Sequence, residues 1–263
     1  MDIQKLSDIM TPNIIGVTPV TPIFETLMLM SSKHISCVVV MEKGQPAGIV
    51  TERNVVRLLA RGWYDFHDDP VQEIMSSPLV TASQETDIFE AYDLLKSHGL
   101  RHLVVVDDNR RPVGLVTQSN IVEHLTAESF VEIKRVSQVM TRVVCSVGRE
   151  APLPQALKDM SSKSVSCIVV LEERRPIGII TERDVSHLPV DHPDYAHLSV
   201  ADVMSTGLTT VQTDTPIADA VRIMREKRLR HMIVVDGDGL IMGLATQSDI
   251  VRGLEGRYIK KIS

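Results

Sequence analysis

Hydrophobic and polar positions along this chain switch between a strand period and a helix period, most clearly from Leu208 to Asp249. Leu208-Thr209-Thr210-Val211 reads as a short strand. Thr213-Asp214-Thr215-Pro216 then carries a helix-start signal, a capping residue followed by proline at the first turn. Ile217, Ala220, Val221, Ile223 and Met224 fall close to one helical face. The apolar run Arg230 to Val235 predicts a buried strand, Asp236-Gly237-Asp238-Gly239 a hairpin turn, and Leu240 to Ala245 the returning strand. Thr246-Gln247-Ser248-Asp249 opens a closing helix. The order is β-α-β-β-α.

The same order recurs three times upstream, with turns at Glu42-Lys43-Gly44-Gln45, Asp107-Asp108-Asn109-Arg110 and Glu172-Glu173-Arg174-Arg175. One phrase closes each copy: Gly48-Ile49-Val50-Thr51-Glu52-Arg53-Asn54, Gly114-Leu115-Val116-Thr117-Gln118-Ser119-Asn120, Gly178-Ile179-Ile180-Thr181-Glu182-Arg183-Asp184 and Gly243-Leu244-Ala245-Thr246-Gln247-Ser248-Asp249. Its threonines stand 66, 64 and 65 residues apart, so the chain is four copies of one supersecondary unit. Met10, Met75, Met140 and Met204 mark the starts of the copies, and as methionines they read as core fillers. Residues 31–55 match residues 161–185 at 15 of 25 positions, which points to a two-repeat ancestor duplicated whole. The expected boundaries are 1–66, 67–130, 131–195 and 196–263.

One copy of about 50 residues buries too little apolar surface to stand alone. We therefore expect copies to pair, one with two and three with four, each pair owning a core. The connectors 59–71 and 188–200, rich in Asp, His and Pro and holding Trp63, Tyr64, Phe66 and Tyr195, read as surface linkers.

Composition narrows the function. Hydrophobic content of 43% and charged content of 24% are those of a folded soluble protein. No stretch approaches the ~18 apolar residues of a membrane span, and the start lacks the features of a secretory signal, so a cytoplasmic location is expected. A net charge of −6 without a Lys/Arg-rich run argues against nucleic acid as the main partner. The three cysteines have no metal spacing; Cys37 and Cys167 sit at equivalent places in apolar strands and read as buried thiols, as does Cys145 on a first strand. There is no nucleophile elbow, HExxH or P-loop, so enzyme chemistry is not expected.

The leading Met, the β-α-β-β-α order and the closing Gly-x-x-Thr-x-x-Asp/Asn phrase together resemble the cystathionine β-synthase (CBS) domain, four times over nearly the whole chain. The resemblance implies an α/β fold of mixed sheets, with CBS repeats 1 and 2, and 3 and 4, paired into two Bateman modules. It also implies a regulatory role: clefts that bind adenine nucleotides (AMP, ADP, ATP) or S-adenosylmethionine, with no obligatory cofactor and Mg²⁺ only as an optional companion. In that family the final Asp accepts from both ribose hydroxyls, which casts Asp184 and Asp249 in that role. For the Asp249 site the resemblance adds Thr246 and Ser248 at a helix N-terminus. Cys145, Ser146, Val165 and Ser166 would line the adenine, and Arg230 and His231 would reach toward phosphates. For the Asp184 site it adds Thr181, Arg183, Thr209, Thr210 and Leu229.

Asn54 and Asn120 replace the acid in the first two copies. The weaker sites there comprise Ile35, Ser36, Arg101, His102, Thr117 and Ser119 with Asn120, and Thr51 and Arg53 with Asn54. Thr-x-x-Asp has a second reading, the capping box found at many helix starts. The resemblance implies a homodimer, and the stretch from Ile250 to Lys260 is similar to linkers that lead to PAS or diguanylate cyclase outputs. The alternative function is a ligand-independent dimerisation scaffold.

Overall fold

In a computed structural model, residues 4–63, 65–124, 135–192 and 194–253 are described. Each repeat has the expected order. In the fourth, the strand Thr210–Gln212 leads through helix Ile217–Glu226 to strand His231–Val235, then to strand Ile241–Thr246 and helix Gln247–Arg252. The first strand runs parallel to the second, as a helical crossover requires, and the second pairs antiparallel with the third across the hairpin. The sheet is mixed and three-stranded, with the apolar second strand at its centre.

The helix-start signal resolves differently from expectation. Pro216 itself is the N-cap and makes no side-chain cap bond, while Thr215 Oγ1 accepts from Gln212 N at 3.0 Å to close the preceding turn. At the matching place in repeat 2, Asp87 does cap, accepting from Phe89 N and Glu90 N at 2.8 Å.

Hairpin chemistry varies between the repeats. Lys43 and Gly44 both take positive φ (50° and 79°), the pattern of a type I′ turn. Glu173 and Arg174 hold the same turn in repeat 3 at φ 47° and 67° without a glycine. Arg174→Gly should therefore raise unfolding stability by about 0.5–1 kcal/mol, because the left-handed region carries no Cβ penalty for glycine. Urea unfolding checks this. A loss of stability would mean that the Arg174 side chain outweighs its backbone.

Residues separate into two compact units. One comprises Met1–Asn13, Val80–Val144 and Thr209–Ser263; the other Ile14–Leu79 and Cys145–Leu208. The first holds the sheets of repeats 2 and 4, the second those of repeats 1 and 3, and each has one continuous hydrophobic core. In the 1/3 unit, helix Glu52–Ala60 packs on Leu153–Ser162 and Glu182–Asp191, and Ile23–Ser32 packs on Glu182–Asp191. In the 2/4 unit, Gln118–His124 packs on Gln247–Arg252. The cores thus join alternate repeats, where the sequence reading gave one to each consecutive pair. Hydrophobic periodicity shows which face a helix buries, but not against which copy.

The leading segments explain the interrupted boundaries. Thr11–Pro12, at the head of repeat 1, pairs with the last strand of repeat 2, with Thr11 opposite Leu115 and Pro12 opposite Gly114. Ser76, at the head of repeat 2, bridges to Ile49 of repeat 1; Thr141 bridges to Leu244 and Ser205 to Ile179 in the same reciprocal manner. The methionine ahead of each bridge lies over the signature glycine of the same sheet: Met10 on Gly114, Met75 on Gly48, Met140 on Gly243 and Met204 on Gly178. The two most regular markers in the sequence touch each other.

The connectors are not surface linkers throughout. Phe66 and Tyr195 are buried in the core of the 1/3 unit, and Trp63 packs against it. Helix Glu182–Asp191 runs into the second connector with Pro189 inside it. Polar composition concealed these aromatic anchors. Tyr64 lies outside the described residues. Cys37 and Cys167 are buried as expected, whereas Cys145 is half-buried just before the strand Ser146–Gly148.

Candidate functional site

The signature phrase folds into the same turn four times. Each threonine is the N-cap of the closing helix, or its equivalent in repeat 2, and the fourth residue of Thr-x-x-Asp/Asn turns back to it. Asp249 Oδ2 accepts from Thr246 N at 2.9 Å and from Thr246 Oγ1 at 2.7 Å. Asp184 Oδ2 accepts from Thr181 N and Oγ1 at 2.7 and 2.6 Å. Asn54 Oδ1 does the same for Thr51 at 2.9 and 2.7 Å, and Asn120 Oδ1 for Thr117 at 2.8 and 2.7 Å. The capping reading therefore holds at every copy, and Asn serves the cap as well as Asp.

The second side-chain atom separates the copies. Asn54 Nδ2 donates to Ile74 O at 2.7 Å and to Ser76 Oγ at 3.1 Å, so it is a donor already committed to the protein. Asp184 Oδ1 accepts from Ser205 Oγ at the long distance of 3.4 Å. Asp249 Oδ1 accepts from Thr141 Oγ1 at 3.4 Å and pairs with the exposed Arg252 guanidinium at 3.2 Å. Each aspartate keeps an oxygen outside its cap, and a carboxylate oxygen has lone pairs to spare for hydroxyl donors.

Sequence reasoning missed Ser76, Thr141 and Ser205. The signal was present, since a Ser or Thr directly follows each marker methionine: Thr11, Ser76, Thr141 and Ser205.

Strand register brings further chemistry to the signature. His231 lies opposite Thr246, and His102 opposite Thr117. The carbonyls of Arg101 and Arg230 accept from Gln118 N and Gln247 N at 3.2 and 3.1 Å. At the same places repeats 1 and 3 carry Ser36-Cys37 and Ser166-Cys167, whose serine carbonyls accept from Glu52 N and Glu182 N at 3.1 and 3.0 Å. The two Arg-His pairs thus collect in the 2/4 unit and the two Ser-Cys pairs in the 1/3 unit. Burial pushes the His231 imidazole down to about 3, and the nearby charges of Arg230 and Arg101 push it the same way. Arg101 and Arg230 thus carry the positive charge here, and His231 beside them stays neutral. Burial pushes the Cys37 thiol up to about 12, with Glu52 adding to the effect, so that thiol stays protonated.

The residues expected around Asp249 divide between the units. Arg230, His231, Thr246 and Ser248 share its unit, while Cys145, Ser146, Val165 and Ser166 belong to the 1/3 unit. Of those expected around Asp184, Thr181 and Arg183 share its unit, and Thr209, Thr210 and Leu229 belong to the 2/4 unit. Thr209 Oγ1 accepts from Lys227 Nζ at 3.1 Å. Among the weaker candidates, Thr51, Arg53, Asn54, Ile35 and Ser36 fall in the 1/3 unit, and Arg101, His102, Thr117, Ser119 and Asn120 in the 2/4 unit. Arg53 and Val165 line one small surface cleft together with Arg57 and Glu182. Among the described residues, no group of three His, Cys, Asp or Glu side chains could hold a metal ion, and no helix is long and apolar enough to cross a membrane.

The profile of the CBS domain matches residues 6–61, 71–127, 136–191 and 200–256. The chain belongs to the CBS-domain family. Protein MJ1404 of Methanocaldococcus jannaschii is 24% identical to this CBS protein over 266 residues, covering 95% of this chain and 61% of that one. L-aspartate semialdehyde sulfurtransferase of the same organism is 32% identical over 119 residues, 45% of this chain and 23% of that enzyme. This CBS protein therefore spans less than two thirds of the length of either relative. Among solved structures, MJ1225 of M. jannaschii, described as a candidate archaeal homologue of γ-AMPK, superposes with a TM-score of 0.87 at 21% identity, covering 95% of this chain and 99% of that one. A conserved protein of Pyrococcus horikoshii gives 0.65 at 19% identity, covering 95% and 100%. These likenesses are of fold, four CBS repeats built from mixed sheets and helices.

Proposed function

We propose that this CBS protein is a regulatory sensor of an adenosyl ligand, an adenine nucleotide or S-adenosylmethionine, held chiefly by repeat 4 and secondarily by repeat 3. Its ligand state passes to a partner protein or a fused signalling output. One observation carries the reading: repeat 4 alone joins an Asp with an oxygen outside its cap to an Arg-His pair at the adjoining strand start. Asp249 would accept from the ribose hydroxyls, and Arg230 and His231 would face the phosphates. Repeat 3 offers Asp184, Thr181 and Arg183 without the Arg-His pair. The reciprocal exchange of leading segments between repeats 1 and 2, and between 3 and 4, supports treating each consecutive pair as one module. The stretch 254–263, read from sequence as part of a linker to an output, lies outside the described residues.

The four caps supply a clean test. Because Asn54 and Asn120 cap as the aspartates do, Asp249→Asn keeps the turn and removes the carboxylate together with its pair to the exposed Arg252. Titration calorimetry with AMP, ADP, ATP and S-adenosylmethionine should show binding to the parent, weakened about tenfold or more in Asp249→Asn, while loss of the exposed Arg252 pair lowers stability by no more than about 1 kcal/mol. If none of the four binds the parent, the sensor reading is wrong. Equal affinity in the variant would place the ligand elsewhere.

A further inference from the structure

The two middle residues of Thr-x-x-Asp/Asn differ between repeats, and the difference follows the units. Repeats 1 and 3 carry Glu52-Arg53 and Glu182-Arg183; repeats 2 and 4 carry Gln118-Ser119 and Gln247-Ser248. In the 1/3 unit Arg53 Nε reaches Glu182 Oε1 at 3.1 Å, and Arg183 Nε reaches Glu52 Oε1 at 3.4 Å. Both glutamates are buried, at 2% and 3% exposure. In the 2/4 unit the same positions meet in the same crossed sense. Ser119 Oγ donates to Gln247 Oε1 at 2.7 Å, and Ser248 Oγ to Gln118 Oε1 at 2.5 Å. The two glutamine amide nitrogens donate to Leu100 O and Leu229 O, both at 3.3 Å, which turns each Oε1 toward the sister repeat.

We infer that this dipeptide is a recognition code by which each repeat selects its sister, Glu-Arg accepting Glu-Arg and Gln-Ser accepting Gln-Ser. In each case the third residue of the signature is the donor and the second the acceptor, applied twice about a local two-fold. The acceptors Glu and Gln have the same length, but the donors do not. Arginine Nε stands further from its Cα than serine Oγ, so each donor suits a different separation of the helices that carry it. A mixed encounter fails on charge as well as reach. It sets a buried glutamate against a neutral hydroxyl and leaves the arginine without its carboxylate, and a buried charge that loses its partner is strongly unfavourable. Sister selection of this kind would direct repeat 1 to repeat 3 and repeat 2 to repeat 4 while all four copies fold from one chain. The code needs no ligand and stands independently of the sensor reading.

Transplanting the code tests it in the full chain. One half-exchange is Glu52→Gln with Arg53→Ser, the other is Glu182→Gln with Arg183→Ser, and the full exchange combines all four. Denaturant unfolding of the 1/3 unit, followed by Trp63 fluorescence, should show each half-exchange raising the unfolding constant by about tenfold or more. The full exchange, which rebuilds the Gln-Ser arrangement of the 2/4 unit, should recover most of that loss. A full exchange that falls as far as the two halves added together, or that does not fold, overturns the inference. So does a half-exchange that leaves the unfolding constant unchanged.

Discussion

Gly243→Val is expected to destabilise the 2/4 unit by about 3 kcal/mol or more, and Gly243→Ala by about 1–3 kcal/mol. A Cβ on Gly243 would meet Thr141 O at 2.8 Å and Met140 Sδ at 2.9 Å. The carbonyl cannot retreat cheaply, because Thr141 and Leu244 exchange backbone hydrogen bonds at 2.8 and 2.9 Å, and these hold the leading segment on the sheet. Gly178 provides the contrast. There the two closest atoms, Sδ and Cγ of Met204, can swing away by a rotamer change and the third, its Cβ, stands at 3.1 Å, so Gly178→Ala should cost less than Gly243→Ala. Chemical denaturation of the three variants gives the order directly. If Gly178→Ala proved the costlier alanine, backbone proximity would not be what restricts these positions.

Acidification should weaken the protein through His231. Its folded-state value of about 3 lies below the unfolded value of about 6.5, so the unfolded chain binds the extra proton between them. The His231 contribution is complete above pH 6.5 and is lost as pH falls toward 3. At pH 5 the loss is about 1–2 kcal/mol relative to pH 7. Stability measured at pH 7 and pH 5 should diverge between the parent and His231→Gln, the variant showing the shallower fall. Parallel curves would mean that His231 does not couple to folding. A bound phosphate would offset the charges of Arg101 and Arg230, raise the imidazole pKa and draw in a proton. Nucleotide affinity should then strengthen as pH falls, with a binding heat that depends on the buffer.

Much of this architecture was legible because repetition amplifies weak signals. A lone Thr-x-x-Asp is an ordinary helix start, yet four of them at near-constant spacing identified the strand-turn-helix edge on which the candidate site is built. Strands such as Cys37–Glu42 and Cys167–Glu172 were visible as apolar runs of the right length. The choice of sister was not visible, because Leu27, Leu58 and Leu157 look alike to any apolar partner. The Glu-Arg and Gln-Ser alternation held that information, but it acquires meaning only when crossed pairs are seen in space. Phe66 and Tyr195 were hidden by their polar neighbours. The cap at Asp184 and Asp249 was legible in Thr-x-x-Asp; that a single carboxylate oxygen makes it, while the other faces Ser205 or Thr141, was not.

The exchange of leading segments also bears on how such a chain can be inherited. A gene copying one repeat alone would produce a sheet with an unfilled glycine notch and a methionine arm with no edge to join. Copying two consecutive repeats carries both arms and both notches together. The resemblance of residues 31–55 to 161–185 is what descent by pairs leaves behind, and any longer descendant of this protein should have gained its repeats in even numbers.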